Sequence, residues 1–167
     1  MRLWRVVKGD WDAILALVSA GVFVVVMLRS SRPLEDVRAL IIASAPYGVA
    51  IATGAMVAGR WASDRIKDSA YGEVIRVLDP SEARMQRPTL TVAVAGIATT
   101  VVGIALMLTY DEFARTATVW AYGVLLALAL YGAFGLIDLY RQGRRHLARL
   151  SLLQSTREEE NRRRRSN

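Results

Sequence analysis

Thr89–Tyr110, TLTVAVAGIATTVVGIALMLTY, runs for 22 residues without a charged side chain. An α-helix rises ~1.5 Å per residue, so such a stretch crosses the ~30 Å hydrocarbon core of a bilayer. Three more uncharged runs accompany it: Ala13–Leu28, Ala39–Gly59 and Thr116–Ile137. A water-soluble bundle needs charge on the outer face of each helix, and these runs have none. The sequence therefore predicts an all-α integral membrane four-helix bundle, with spans 2 and 4 continuing as helices into the cytoplasm.

The runs divide the chain as follows. A cytoplasmic N-terminus (1–12) leads into span 1 (13–28), a short outside loop (29–38) and span 2 (39–59). A cytoplasmic amphipathic loop (60–88) precedes span 3 (89–110). A tight outside turn (111–115), span 4 (116–138) and a basic tail (139–167) complete the order. The opening MRLWRVVKGDW before an apolar run has the look of a signal peptide. The LRSSRPLED that follows lacks a small-x-small cleavage site, so the run is read as a retained first span with Trp4 and Trp11 at the interface.

Charge sets the orientation. Of 22 basic residues, three precede span 1, six lie between spans 2 and 3 and nine follow span 4. Only Arg29, Arg32, Arg38 and Arg115 fall on the other side. The positive-inside rule places both termini and the middle loop in the cytoplasm of a cell whose cytoplasmic membrane holds the protein. The net charge of +7 is thereby assigned to topology, and no nucleic-acid partner is expected. The outside segments are too short to build a ligand-binding domain. Recognition is expected in the cytoplasm or within the membrane.

Both cytoplasmic stretches are amphipathic. After span 2, apolar residues recur at Ile66, Ala70, Tyr71, Val74, Val77 and Leu78 until Asp79-Pro80 breaks the helix. This stripe suits packing on the tail, lying on the bilayer or docking a partner; packing on the tail is preferred. A short second turn is expected to reach Pro88, where span 3 starts. In the tail, Leu139, Tyr140, Leu147, Leu150 and Leu153 keep an apolar side. Arg141, Arg144, Arg145 and Arg149 form a membrane-surface or partner contact, attracted to anionic lipid. Ser155-x-x-Glu158 fits a capping box, and Glu158–Glu160 precede Arg162–Arg164 at the spacing of helical ion pairs.

Helices in lipid associate through small residues that let backbones approach. Span 2 offers Gly48, Ala52, Ala55 and Gly59, and span 3 offers Ala93, Gly96, Thr100 and Gly103. Span 4 offers Gly123 and Ala127, then Gly132 and Gly135. These are the predicted helix-packing or oligomer faces, with packing inside one chain preferred and homo-oligomerisation kept open. Pro46 is the candidate hinge, since a membrane proline frees a backbone carbonyl and bends the helix.

Catalysis is not expected. Ion-coupled transport and intramembrane acid–base chemistry need ionisable groups near the midplane, and here Asp12 and Asp138 stand only at the edges. Asp138 is placed to pair with Arg141. Cysteine is absent, His146 is the one histidine, and no residue set suggests a metal or cofactor. Ser19, Ser44, Thr53, Thr99 and Thr100 could line a narrow polar path, but are expected instead to bond their own helix carbonyls.

In plan, with compact spans, minimal outside loops and the charged tail REEENRRRRSN, the chain resembles small phage-encoded multi-span membrane proteins of the holin and superinfection-exclusion kinds. That resemblance implies lateral assembly into a permeabilising lesion or ion channel, restrained through the cytoplasmic segments. Two function classes follow. One is a non-enzymatic protein that self-associates and permeabilises the cytoplasmic membrane. The alternative is an accessory scaffold that docks a cytoplasmic partner; on the sequence the permeabilising protein is preferred.

Overall fold

Four helices make up the described part of the protein: α1 (Trp11–Arg29), α2 (Glu35–Lys67), α3 (Ala83–Thr109) and α4 (Arg115–Ser166). The computed structural model describes residues 11–30, 35–67, 77, 83–109 and 114–166. Each helix contains a segment long and apolar enough to cross a membrane. The predicted stripe residues Ala70, Tyr71, Val74 and Leu78, like the break at Asp79-Pro80, lie outside the described residues. Val77 is described, and it is exposed.

Consecutive helices run antiparallel. Along α2 and α3, Ser44 meets Gly103, Gly48 meets Thr100, Ala52 meets Gly96 and Gly59 meets Thr89. α2 and α4 run parallel, with Ile51 beside Gly132, Leu136 beside Gly54 and Trp61 beside Gly143. The bundle thus has a turn end, where α1 meets α2 and α3 meets α4 in sequence, and a basic end from which α2 and α4 project together. α4 is the hub: α1, α2 and α3 all pack on it, while the most extensive pairing of all is α2 with α3.

Two core clusters show how α1 differs from the rest. At the turn end, Val24, Met27, Ile41, Leu106, Val119, Tyr122 and Leu125 bring all four helices together. At the basic end, Ile51, Ala55, Val92 and Ala93 close against Leu136 and Leu139 without a residue from α1. Arg115 ties the turn end further, donating to the Ser30 carbonyl just past α1. Outward faces are apolar: Leu17 is 65% exposed and Leu108 78%. In water such surfaces would aggregate; in hydrocarbon they are the solvated face.

Several local expectations meet a different outcome. α3 starts five residues before Pro88, which sits inside the helix instead of at its start. A proline near a helix start loses one backbone bond and has little ladder behind it to disturb. α4 continues without a break through Ser155, whose hydroxyl donates to the Leu152 carbonyl as a mid-helix serine does, so it caps no new helix. Asp138 accepts from Gln142 Nε2 at 2.7 Å, one residue beyond the expected arginine. Three of the membrane hydroxyls, on Ser44, Thr99 and Thr100, do turn back on their own helices. Ser44 donates to Ile41 O at 2.6 Å and Thr99 to Ala95 O at 2.8 Å.

Candidate functional site

A polypeptide in lipid gains little from burying one alkyl surface against another, so close backbone approach decides which helices stay together. The α2–α3 seam takes this furthest. A Cβ built on Gly48 would lie 2.5 Å from the Gly96 carbonyl oxygen and 2.8 Å from Thr100 N. One on Gly96 would lie 2.7 Å from both Gly48 O and Ala52 N. Only hydrogen fits at either site. Gly59 presses on the side chain of Thr89 and Gly103 on that of Ser44, while Ala55 and Ala93 are buried as well. All eight predicted small residues of spans 2 and 3 therefore lie along or next to this one intrachain seam.

The glycines of α4 are distributed among its three neighbours. Gly123 meets Val24 of α1, Gly132 meets Ile51 of α2 and Gly135 meets Val92 of α3. Ala127 is half-buried. What the spacing left out is the complementary residue on each partner. Ala16 and Ala20 of α1, spaced four apart and both buried, carried the same small-residue signal and were not singled out.

Pro46 is exposed on the outside of the bundle. Hydroxyl groups support the backbone around it. The Thr100 hydroxyl, with one proton to give, reaches both Ala45 O at 3.2 Å and Gly96 O at 3.1 Å. The first of these crosses from α3 to α2 immediately before the proline. The carbonyl that Pro46 deprives of an N–H donor is that of Ile42, one turn earlier, so the Thr100 bond fastens the seam beside the proline and does not replace the lost bond.

At the basic end, Asp12 lies within electrostatic reach of Asp138 and Arg141, with Gln142 bonded to Asp138. Beyond this polar edge, α2 and α4 extend side by side as far as Trp61 and Gly143. Gln142, Gly143, His146 and Leu147 are half-covered. From Ala148 onward, every side chain of α4 that is described is exposed. Arg141, Arg144, Arg145 and Arg149 are exposed as well, around the root of this projection. Burial, and secondarily Arg149, hold the His146 imidazole below the ordinary histidine pKa. Among the described residues no group of His, Cys, Asp and Glu is arranged to hold a metal ion. The chain matches no family model, no curated protein and no solved structure.

Proposed function

We propose that this protein is a membrane-anchored docking protein: the bundle is the anchor and the end of α4 is an arm that presents a basic helix to a cytoplasmic partner. The observation that carries this reading is the continuity of α4, 52 residues from Arg115 to Ser166. Such a helix is ~78 Å long, far more than the ~30 Å a bilayer requires. The part after Asp138 contributes ~42 Å.

That length sorts the tail charges by distance. Arg141, Arg144 and Arg145 fall within ~10 Å of helix past Asp138, close to one Debye length, where anionic headgroups attract them. Arg162–Arg164 lie ~36 Å past it, beyond the reach of the bilayer's field. Those distal arginines suit an acidic protein surface. The permeabilising reading draws less support, because the small-residue seams that would carry lateral assembly are filled within one chain.

The absence of native cysteine allows a single label at Ser166 to report the arm's height by energy transfer to a lipid-bound dye. The expected distance is about 40 Å from the headgroups; a label lying at the membrane surface overturns the arm. A photocrosslinker at exposed Leu152 is expected to yield an adduct with a soluble protein in living cells, and one at lipid-facing Leu17 is not. Rapid depolarisation on induced expression would instead favour the permeabilising protein.

A further inference from the structure

α1 packs along α4 and makes little contact with α2, which leaves a gap between α1 and α2 alongside α4. The gap is a groove of about 280 Å³. Its floor is buried Ile41 and Leu125; Phe23 and Ala129 form the sides, and exposed Ala43 and Tyr47 stand at the rim. α3 contributes nothing to it.

We propose that this groove is a lipid-chain site that takes one alkyl chain of a phospholipid from the leaflet on the turn side. Three occupants compete, and the geometry separates them. Water needs two or more polar partners, and the lining is hydrocarbon apart from a few hydroxyls. One of these, on Ser44, is already committed to the Ile41 carbonyl. A helix from a second copy is ~10–12 Å across with its side chains and needs several times the volume present. An alkyl chain fits on both counts.

Size and position agree with that occupant. The volume is about twice the ~150 Å³ of an engineered apolar cavity that takes up benzene. Left empty, lining atoms would forfeit their dispersion contacts beside fluid hydrocarbon able to supply them. From Tyr122 to Leu130 the groove follows α4 for ~12 Å, close to the ~15 Å that one leaflet's chains occupy. Its mouth opens on the outer surface of the bundle, where the rim residue Tyr47 is 48% exposed. The chain completes the wall that α1 and α2 leave unfinished. This site is independent of the docking arm.

The test uses the full-length protein in phosphatidylcholine vesicles with a spin label midway along the lipid chain. Ala129→Phe fills the side of the groove and Ala43→Phe blocks its rim; retained helicity by circular dichroism qualifies each variant. The motionally restricted signal is expected to fall by about one lipid per chain in each folded variant. An unchanged signal in a folded variant overturns the site. So does disulfide-linked dimer from Tyr47→Cys in the membrane, which would show a second copy over the mouth. Either result leaves the arm measurements untouched.

Discussion

The α2–α3 and α1–α4 seams solve the same problem by different means. At Gly48 and Gly96 the two backbones touch, with carbonyl oxygen where a side chain would otherwise stand. At Gly123 the neighbour is a methyl of Val24, and the nearest backbone atom, Ala20 O, is 3.9 Å from a built Cβ. The first seam adds backbone dispersion and a hydroxyl bond from Thr100 to Ala45; the second is side chain against backbone alone at this point. The lesson is that the apolarity of a span says little about how firmly it is held. α1 is as apolar as the other spans, yet it packs on α4 and joins α2 and α3 in a shared cluster only at the turn end.

Substitutions that add one methyl group at a time challenge this contrast directly. Gly48→Ala, forced against backbone that cannot move aside, is expected to cost about 3 kcal/mol in reversible unfolding from mixed micelles. Gly123→Ala displaces only a valine methyl, and about 1 kcal/mol is expected by the same measurement. Equal losses at the two positions would erase the distinction between the seams. Thr100→Val removes the bond across the α2–α3 seam while keeping the shape, for a loss of about 0.6 kcal/mol, typical of such bonds in membrane helices. Gly21 is the control, with nothing within 4 Å of its added Cβ. Gly21→Ala is expected to stabilise α1 by about 0.5 kcal/mol through backbone entropy alone.

The smallest effect concerns the root of the arm, where α4 leaves the bundle. Burial and Arg149 favour the neutral imidazole of His146, so the folded protein binds that proton less readily than the unfolded chain. Its contribution to stability is complete above the ordinary histidine pKa of ~6.5 and is lost as the pH falls from there through the lower pKa of the folded state. As the only histidine, it gives a single imidazole resonance in a pH titration. That resonance is expected to titrate below the ordinary range and to move partway back in Arg149→Gln. Full recovery in that variant would mean that burial contributes nothing.

The spans and the small faces were legible because both follow from one-dimensional rules. Charge is excluded from hydrocarbon, and close helix contact requires residues without bulk at three- and four-residue spacing. Gly48, Gly96 and Gly135 are found by that spacing alone. The partner of each face was not legible: Gly123, Gly132 and Gly135 lie within four turns of one helix, yet they meet three different neighbours. Nor was the smooth passage of α4 through Ser155, since a serine followed by glutamate three residues on suits both a cap and a helix interior.

By itself, then, the sequence determined that four apolar helices form, which segment of each is long and apolar enough to cross a bilayer, and which residues are small enough for backbones to meet. It also set the charge asymmetry from which an orientation is inferred. Tertiary structure alone decided that α2 pairs with α3, that α1 stands aside on α4, and that a groove remains between α1 and α2. The physical reason is that lipid excludes charge one residue at a time, whereas a helix chooses its neighbour by the fit of whole faces. Such fit exists only once all four helices are in place.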